Sequence, residues 1–140
     1  MAQSFPLQIV TPTGIVYEGE AEEVTAEGPL GQFGVLPNHI NFITSLVPGI
    51  MEVKLPGGEK RHYVVSGGLA EVKDGAMTML ADTAEEPGAL KVEEIDVALR
   101  DLEGRMVEIS VFAEEYDPTY RELMLARARR RAATELRPDR

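Results

Sequence analysis

The 140 residues contain no cysteine, no tryptophan and only two histidines, His39 and His62. Without cysteine there is no disulfide framework, no thiolate nucleophile and no cysteine-ligated metal, a composition that suits a reducing compartment. No apolar run reaches the roughly 18 residues that a membrane-crossing helix needs. The opening MAQSFPLQIV has neither a basic start nor a long apolar stretch, so neither a signal peptide nor a transit peptide is expected, and the mature chain is expected to begin near Met1. This length suits one domain, or one domain with a small appendage, around a modest core.

What charge is present is unevenly placed. The net charge is −10, yet residues 121–140 hold seven arginines (121, 127, 129, 130, 131, 137 and 140) against Glu122, Glu135 and Asp139, a local +4 that leaves −14 on residues 1–120. A nucleic-acid binder usually carries its cations on the folded face itself, and here that body is acidic. A basic tail on an acidic body calls for an acidic partner.

The segment GQFGVLPNH, Gly31 to His39, combines turn-forming residues with a histidine. Its glycines stand as G-x-x-G with no Lys-Ser/Thr after them, so it is neither a P-loop nor a dinucleotide fingerprint. His39 has no cysteine near it, and His62 falls in a separate segment without the i,i+4 company of a zinc helix. Gly and Pro are expected to shape a turn within which His39 hydrogen-bonds, with a contact surface as the further reading.

Up to Asp82 the chain reads as short β-rich runs broken by turn signals, which predicts about nine or ten strands in two packed sheets, a sandwich or barrel. VKDGAM predicts a hairpin turning on Asp74-Gly75, a pair that readily takes positive φ, and LPGGEK a second one. MEVKL and HYVV mostly alternate, so one face of each strand meets a core and the other meets water or a partner. The period changes near AEEPGAL, which divides the chain into a β domain, residues 1–87, and a helical hairpin, residues 88–140.

After Pro87, Val92, Ile95, Leu99, Leu102 and Met106 fall on one helical stripe and predict a helix from Lys91 to about Ser110, weakened by about 1 kcal/mol at Gly104. In DPTY, Asp117 is expected at the N-cap of a second helix with Pro118 in its first position. Tyr120, Leu123 and Met124 begin its apolar face. From Ala126 onward only alanines and Leu136 remain to be buried, so the hairpin is expected to dock marginally and to be able to exist docked or released. The plainer alternative is a fixed hairpin with solvated arginines.

These residues resemble the epsilon subunit family of bacterial rotary ATP synthases, the counterpart of the mitochondrial delta subunit. LQIVTPTGIVYEGEAEEVTAEGPLGQFGVLPNHINFITSLVPGI is similar to the family's opening half, VVSGGLAEV to its central strand pair and TMLADTA to the end of its sandwich, while the hairpin matches less closely. The resemblance implies a ten-stranded β-sandwich followed by two helices, and a non-catalytic rotor part that binds the gamma shaft and couples it to the c-ring as protons cross the membrane. It implies a peripheral place on the cytoplasmic face of the cell (inner) membrane. It assigns Gly31, Gln32, Phe33, Gly34, Val35, Leu36, Pro37, Asn38 and His39 to a loop meeting the c-ring, with Gln32 standing where relatives often carry a carboxylate. It also implies that Arg121, Arg127, Arg129, Arg130 and Arg131 act against an acidic segment of the beta subunits to hinder ATP hydrolysis.

Some relatives bind ATP through Ile/Leu-Asp-x-x-Arg-Ala. Here IDVALRD keeps Ile95 and Asp96, but Leu99 stands in the arginine position and Arg100 follows one residue later, about 100° further around a helix. ATP is therefore a regulatory ligand only if Arg100 reaches it despite that shift. The alternative from a different class is an independent small-molecule-binding or enzymatic sandwich using His39 and nearby carboxylates.

Overall fold

The computed structural model describes residues 3–137. Met1, together with Asp139 and Arg140 of the basic tail, lies outside them. Strands β1 (Phe5–Thr11), β2 (Gly14–Ala21), β3 (Glu23–Gly28), β4 (Gly31–Val35), β5 (Phe42–Leu46), β6 (Gly49–Lys54), β7 (Lys60–Val65), β8 (Gly68–Lys73), β9 (Ala76–Ala81) and β10 (Ala84–Glu85) precede helices α1 (Val92–Glu108) and α2 (Tyr116–Glu135). They form two five-stranded sheets, ordered β2-β1-β9-β8-β5 and β10-β7-β6-β3-β4. The first and ninth strands run parallel, and the other pairs are antiparallel. The fold is the expected ten-stranded sandwich followed by two helices.

Alternation builds the interior. Phe5, Leu7 and Ile9 of β1 meet Met77 and Met79 of β9 from one sheet, and Val24, Met51, Val53 and Tyr63 from the other, all buried. Both predicted hairpins form. Asp74 (φ 50°) and Gly75 (φ 81°) take positive φ between β8 and β9, and Gly57 and Gly58 do so between β6 and β7. On β7 both faces are enclosed: Tyr63 and Val65 enter the sandwich core, while Val64, with no exposed surface, packs under the helices.

Ile95, Leu99 and Leu102 of α1 are buried in this second core, with Val92 and Met106 packed at its margin. Arg121 of α2 approaches Gly67 just after β7, and Leu136 lies by Lys60 and Arg61 at its start, so α2 runs antiparallel to β7. The hairpin's outer end therefore projects beyond the Gly67 end of the sandwich.

Two details differ from the sequence expectation, and a third follows it. First, the segment Gly31 to His39 assigned to a loop is not all loop: Gly31 to Val35 form β4, paired with β3 from Gly28↔Gly31 to Val24↔Val35. Phe33 and Val35 alternate into the core and override the turn signal of the glycines, leaving Leu36 to His39 as the turn. Second, Asp117 is not the N-cap of α2, which begins at Tyr116 after Glu115 with no side-chain cap. The chain enters through Tyr116 N–H to Ala113 O and Thr119 N–H to Glu115 O, so Pro118 sits third, still in the turn whose N–H groups need no helical partner. Third, α2 buries alanines, as the sequence left it to do: Ala126, Ala132 and Ala133 are 4%, 0% and 3% exposed. Alanine loses no side-chain entropy on burial and lets the helix backbone come close, while Val64, Leu90 and Leu123 supply the apolar area.

Gly68, at φ +136°, has no room for a side chain, since a Cβ there would stand 2.0 Å from Leu80 O and 2.9 Å from Ala81 Cα. Gly68→Ala should cost at least about 2 kcal/mol in urea denaturation. Gly88→Ala, where nothing lies within 4 Å of a Cβ, should stay within about 0.5 kcal/mol. Equal stability of the two variants would contradict this packing.

Candidate functional site

The turn after β4 holds itself together. Asn38 adopts φ 67°, a region asparagine tolerates, and its Nδ2 donates to Gln3 Oε1 at 3.1 Å. His39 N–H donates to Leu36 O at 3.2 Å, and His39 Nδ1 lies 2.8 Å from Ile40 O. A carbonyl only accepts, so that contact places the proton on Nδ1. The ring stands edge-on to Phe42 at 5.7 Å, and Phe42 in turn meets Phe33 at 5.7 Å. His39 is thus a turn and packing residue. Among the described residues no group of three or more His, Cys, Asp or Glu could hold a metal. Asp74 N–H donates to Asn41 Oδ1 at 3.0 Å, which ties the β8–β9 turn to the same end of the sandwich.

The predicted contact segment is divided by its own strand. Gly31 and Gln32 begin β4, while Leu36, Pro37, Asn38 and His39 follow its far end. A strand rises about 3.3 Å per residue, so Gly31 and Val35 are about 13 Å apart and the two halves present different places.

The arginines of α2 are held by three kinds of partner. Arg129 Nε donates to Glu85 Oε1 of β10 at 2.7 Å, half-buried on both sides. Arg130 Nε donates to Asp96 Oδ1 of α1 at 2.7 Å. Arg131 pairs within its own helix with Glu135 at 3.3 Å. Arg127 and Arg131 also line a cleft of about 340 Å³ between α2 and the sheet, shared with Glu27, Glu52 and His62. Arg121 stands apart, near Gly67.

Beneath that cleft, His62 Nε2 donates to Glu52 Oε2 at 3.0 Å and Lys60 Nζ lies 3.3 Å from Glu52 Oε1. Burial acts against the charged carboxylate, but the hydrogen bonds and charges of His62 and Lys60 outweigh it and hold Glu52 below its usual value.

The three residues of the ATP-like segment do not converge. Ile95 is buried in the helix core, the Asp96 carboxylate is taken by Arg130, and Arg100 Nε turns back to Asp96 O at 3.4 Å.

The outer face of the first sheet escaped the sequence reading. The register aligns Ile15, Val10, Leu80 and Leu69 in one row across β2, β1, β9 and β8, with Ile43 beside it on β5. Four of these are largely exposed: Ile15 59%, Leu80 50%, Leu69 46% and Ile43 64%. The apolar residues were visible as single outward positions, but only strand order and register make them one patch. Glu85 was missed as well, because nothing in a two-residue strand marks it as an arginine acceptor.

Comparison with known proteins follows the same architecture. Residues 4–87 match the family described as ATP synthase, Delta/Epsilon chain, beta-sandwich domain. The ATP synthase epsilon chain of Anaeromyxobacter sp. (strain K) is 39% identical over 127 residues, covering 91% of this chain and 92% of its own. That of Brevibacillus brevis is 39% identical over 102 residues, or 73% and 77% of the two chains. A chain of the Euglena gracilis mitochondrial ATP synthase structure (OSCP/F1/c-ring) superposes with TM-score 0.78 at 25% identity, covering 91% of this chain and 79% of that one. A chain of the Tetrahymena thermophila mitochondrial ATP synthase central stalk/c-ring shares the fold, with TM-score 0.67 at 16% identity over 94% and 98%. With more than half the chain matched by the family and a relative aligned over nearly its whole length, this protein belongs to the delta/epsilon chains of ATP synthase, non-catalytic subunits of that complex.

Proposed function

We propose that this subunit is a central-stalk rotor part that binds the gamma shaft through the uncovered face of the first sheet and meets the c-ring through the end of the sandwich carrying Leu36 to His39. The observation that carries the reading is the apolar row Ile15, Val10, Leu80 and Leu69 with Ile43 beside it. Contiguous exposed apolar surface of this kind marks a protein contact, and the second sheet is already covered by α2. Among the described residues no helix is long and apolar enough to cross a membrane. In the proposed assembly, a proton-translocating one, the subunit works peripherally on the cytoplasmic face of the cell membrane.

The two-part division leads to the first test. The sandwich core from Phe5 to Ala81 closes without any helical residue. A chain ending at Pro87 should keep its β circular-dichroism signal and still bind gamma, at reduced stability because Val64 and Ile50 lose their cover. Leu69→Asp with Leu80→Asp in the full chain should weaken gamma binding at least about tenfold while melting stays near that of the parent. An unfolded truncation would refute the division, and unchanged binding by the double variant would refute the assigned face.

The hairpin is proposed to hinder ATP hydrolysis when released, its arginines meeting acidic segments of the beta subunits. In the docked arrangement, Arg129 and Arg130 are already satisfied by Glu85 and Asp96. Glu85→Gln with Asp96→Asn should therefore deepen inhibition in the assembled enzyme, because it frees the cations without removing them. Arg127→Ala with Arg131→Ala should relieve inhibition. Such pairs are each worth about 0–1 kcal/mol and are screened over about 8–10 Å, so the effect should shrink as salt rises. ATPase rates that ignore both double variants would remove these charges from the mechanism.

Because Asp96 is occupied by Arg130 and Arg100 folds back on its own turn, ATP should raise the melting temperature of the isolated subunit only slightly at millimolar concentration. Saturable stabilisation well below millimolar would show that Ile95, Asp96 and Arg100 form a site after all.

A further inference from the structure

The outer end of the hairpin carries a surface unlike the rest of the helices. Val107 is 87% exposed, Val111 62% and Phe112 95%, all within one short stretch where α1 turns into α2. In the body of α1 the large apolar residues mostly go to the buried stripe. At the tip they do not, although the turn is ordered. Ile109 N–H donates to Arg105 O at 3.1 Å, Ala113 N–H to Ser110 O at 3.0 Å, Tyr116 N–H to Ala113 O at 3.1 Å, and Phe112 N–H to Ser110 Oγ at 3.2 Å. Phe112 is therefore presented to solvent by a hydrogen-bonded turn.

The charge around it is of one sign. From Met106 to Tyr120 the chain carries Glu108, Glu114, Glu115 and Asp117 and no Lys or Arg. Two cations border this stretch: Arg105, engaged by Asp101 at 3.7 Å and Glu122 at 3.9 Å, and Arg121, whose guanidinium reaches toward Gly67. Tyr116 and Tyr120 stack beside the turn, with ring centroids 6.2 Å apart. An ordered, exposed aromatic with apolar neighbours in a stretch whose carboxylates make no ion pair among the described residues is complementary to an apolar pocket rimmed by Lys and Arg. Phosphate-bearing surfaces, whether lipid headgroups or nucleic acid, are repelled by the same carboxylates.

We infer that the hairpin tip is a second docking surface, in which Phe112, Val107 and Val111 enter an apolar pocket on another subunit whose rim is basic. This rests on the assignment to an ATP synthase stalk. It differs from the proposed arginine contact in both place and sign: the arginines of α2 seek carboxylates, whereas the tip offers them. The tip also lies beyond the Gly67 end of the sandwich, away from the Leu36 to His39 turn, so its partner is not the one that meets that turn.

The test uses the assembled enzyme. A photoreactive benzophenone side chain replaces Phe112, the complex is purified and irradiated, and the cross-linked peptide is identified by mass spectrometry. The expected product joins this chain to another subunit at an apolar peptide flanked by Lys or Arg. Its yield should fall several-fold when Glu114→Gln and Glu115→Gln are added, changes at exposed positions outside both cores. Cross-linking to lipid, to an acidic peptide or within the chain itself would overturn the inference, as would no product from a complex that contains the subunit. An unchanged yield in the glutamine variant would overturn the basic rim. If the subunit does not co-purify with an ATP synthase, the stalk assignment fails and the tip inference falls with it.

Discussion

The second half of strand β7, Tyr63 to Val65, is buried on both faces, and the arrangement of the whole chain depends on it. Its inward residues Tyr63 and Val65 complete the sandwich core, while Val64 between them is the floor on which α1 and α2 pack. Side chains alternate along a strand, so these two roles are inseparable: a shift of one residue would put Val64 into the sandwich and Tyr63 under the helices. The β6–β7 register, from Gly49↔Val65 to Lys54↔Lys60, is thus the setting that joins the two parts of the molecule.

That setting makes the two outer faces of the sandwich unequal. One is covered by the chain's own hairpin and carries polar groups, Glu52, His62, Glu27 and Thr25, around a short apolar floor. The other has no cover and keeps an apolar row across its strands. An apolar row left uncovered, with Glu18 and Glu71 on the same face beside it, is available to a stiff, permanent partner. A polar face to which, among the described residues, the hairpin makes one ion pair, Arg129–Glu85, suits the proposed cover that leaves. The proposed division of labour, shaft on one side and regulatory hairpin on the other, follows from this difference.

Much of this was legible along the chain. Turn chemistry located the Asp74-Gly75 and Gly57-Gly58 hairpins, because positive φ is a local demand, and the stripe from Val92 to Met106 located α1 and its buried face. What escaped was decided by partners distant in sequence. The glycines Gly31 and Gly34 signal a turn, yet Phe33 and Val35 are claimed by the core and pull the segment into β4. The Arg129–Glu85 pair spans 44 residues, and the row from Ile15 to Leu69 crosses four strands, so neither has a local signature. Among the segments singled out in advance, the turn at Leu36 to His39 is well defined, whereas Ile95, Asp96 and Arg100 face three different surroundings.

The ion pairs of α2 also bear on the proposed exchange between a docked and a released hairpin. Arg129 and Arg130 each donate to one carboxylate at 2.7 Å while remaining partly exposed, so water and salt compete for both members. A guanidinium satisfied by Glu85 or Asp96 is not available in the same geometry to an acidic segment elsewhere, which makes the internal and external partners alternatives for the same groups. Exchange of one carboxylate for another leaves little net electrostatic difference. The balance then rests on the apolar burial of Leu123 and the three alanines, since releasing α2 exposes them together with Val64. Small side chains keep that apolar term modest. On the proposed mechanism, a cover built from alanine and exchangeable ion pairs is one that a partner offering comparable carboxylates and some apolar contact would displace.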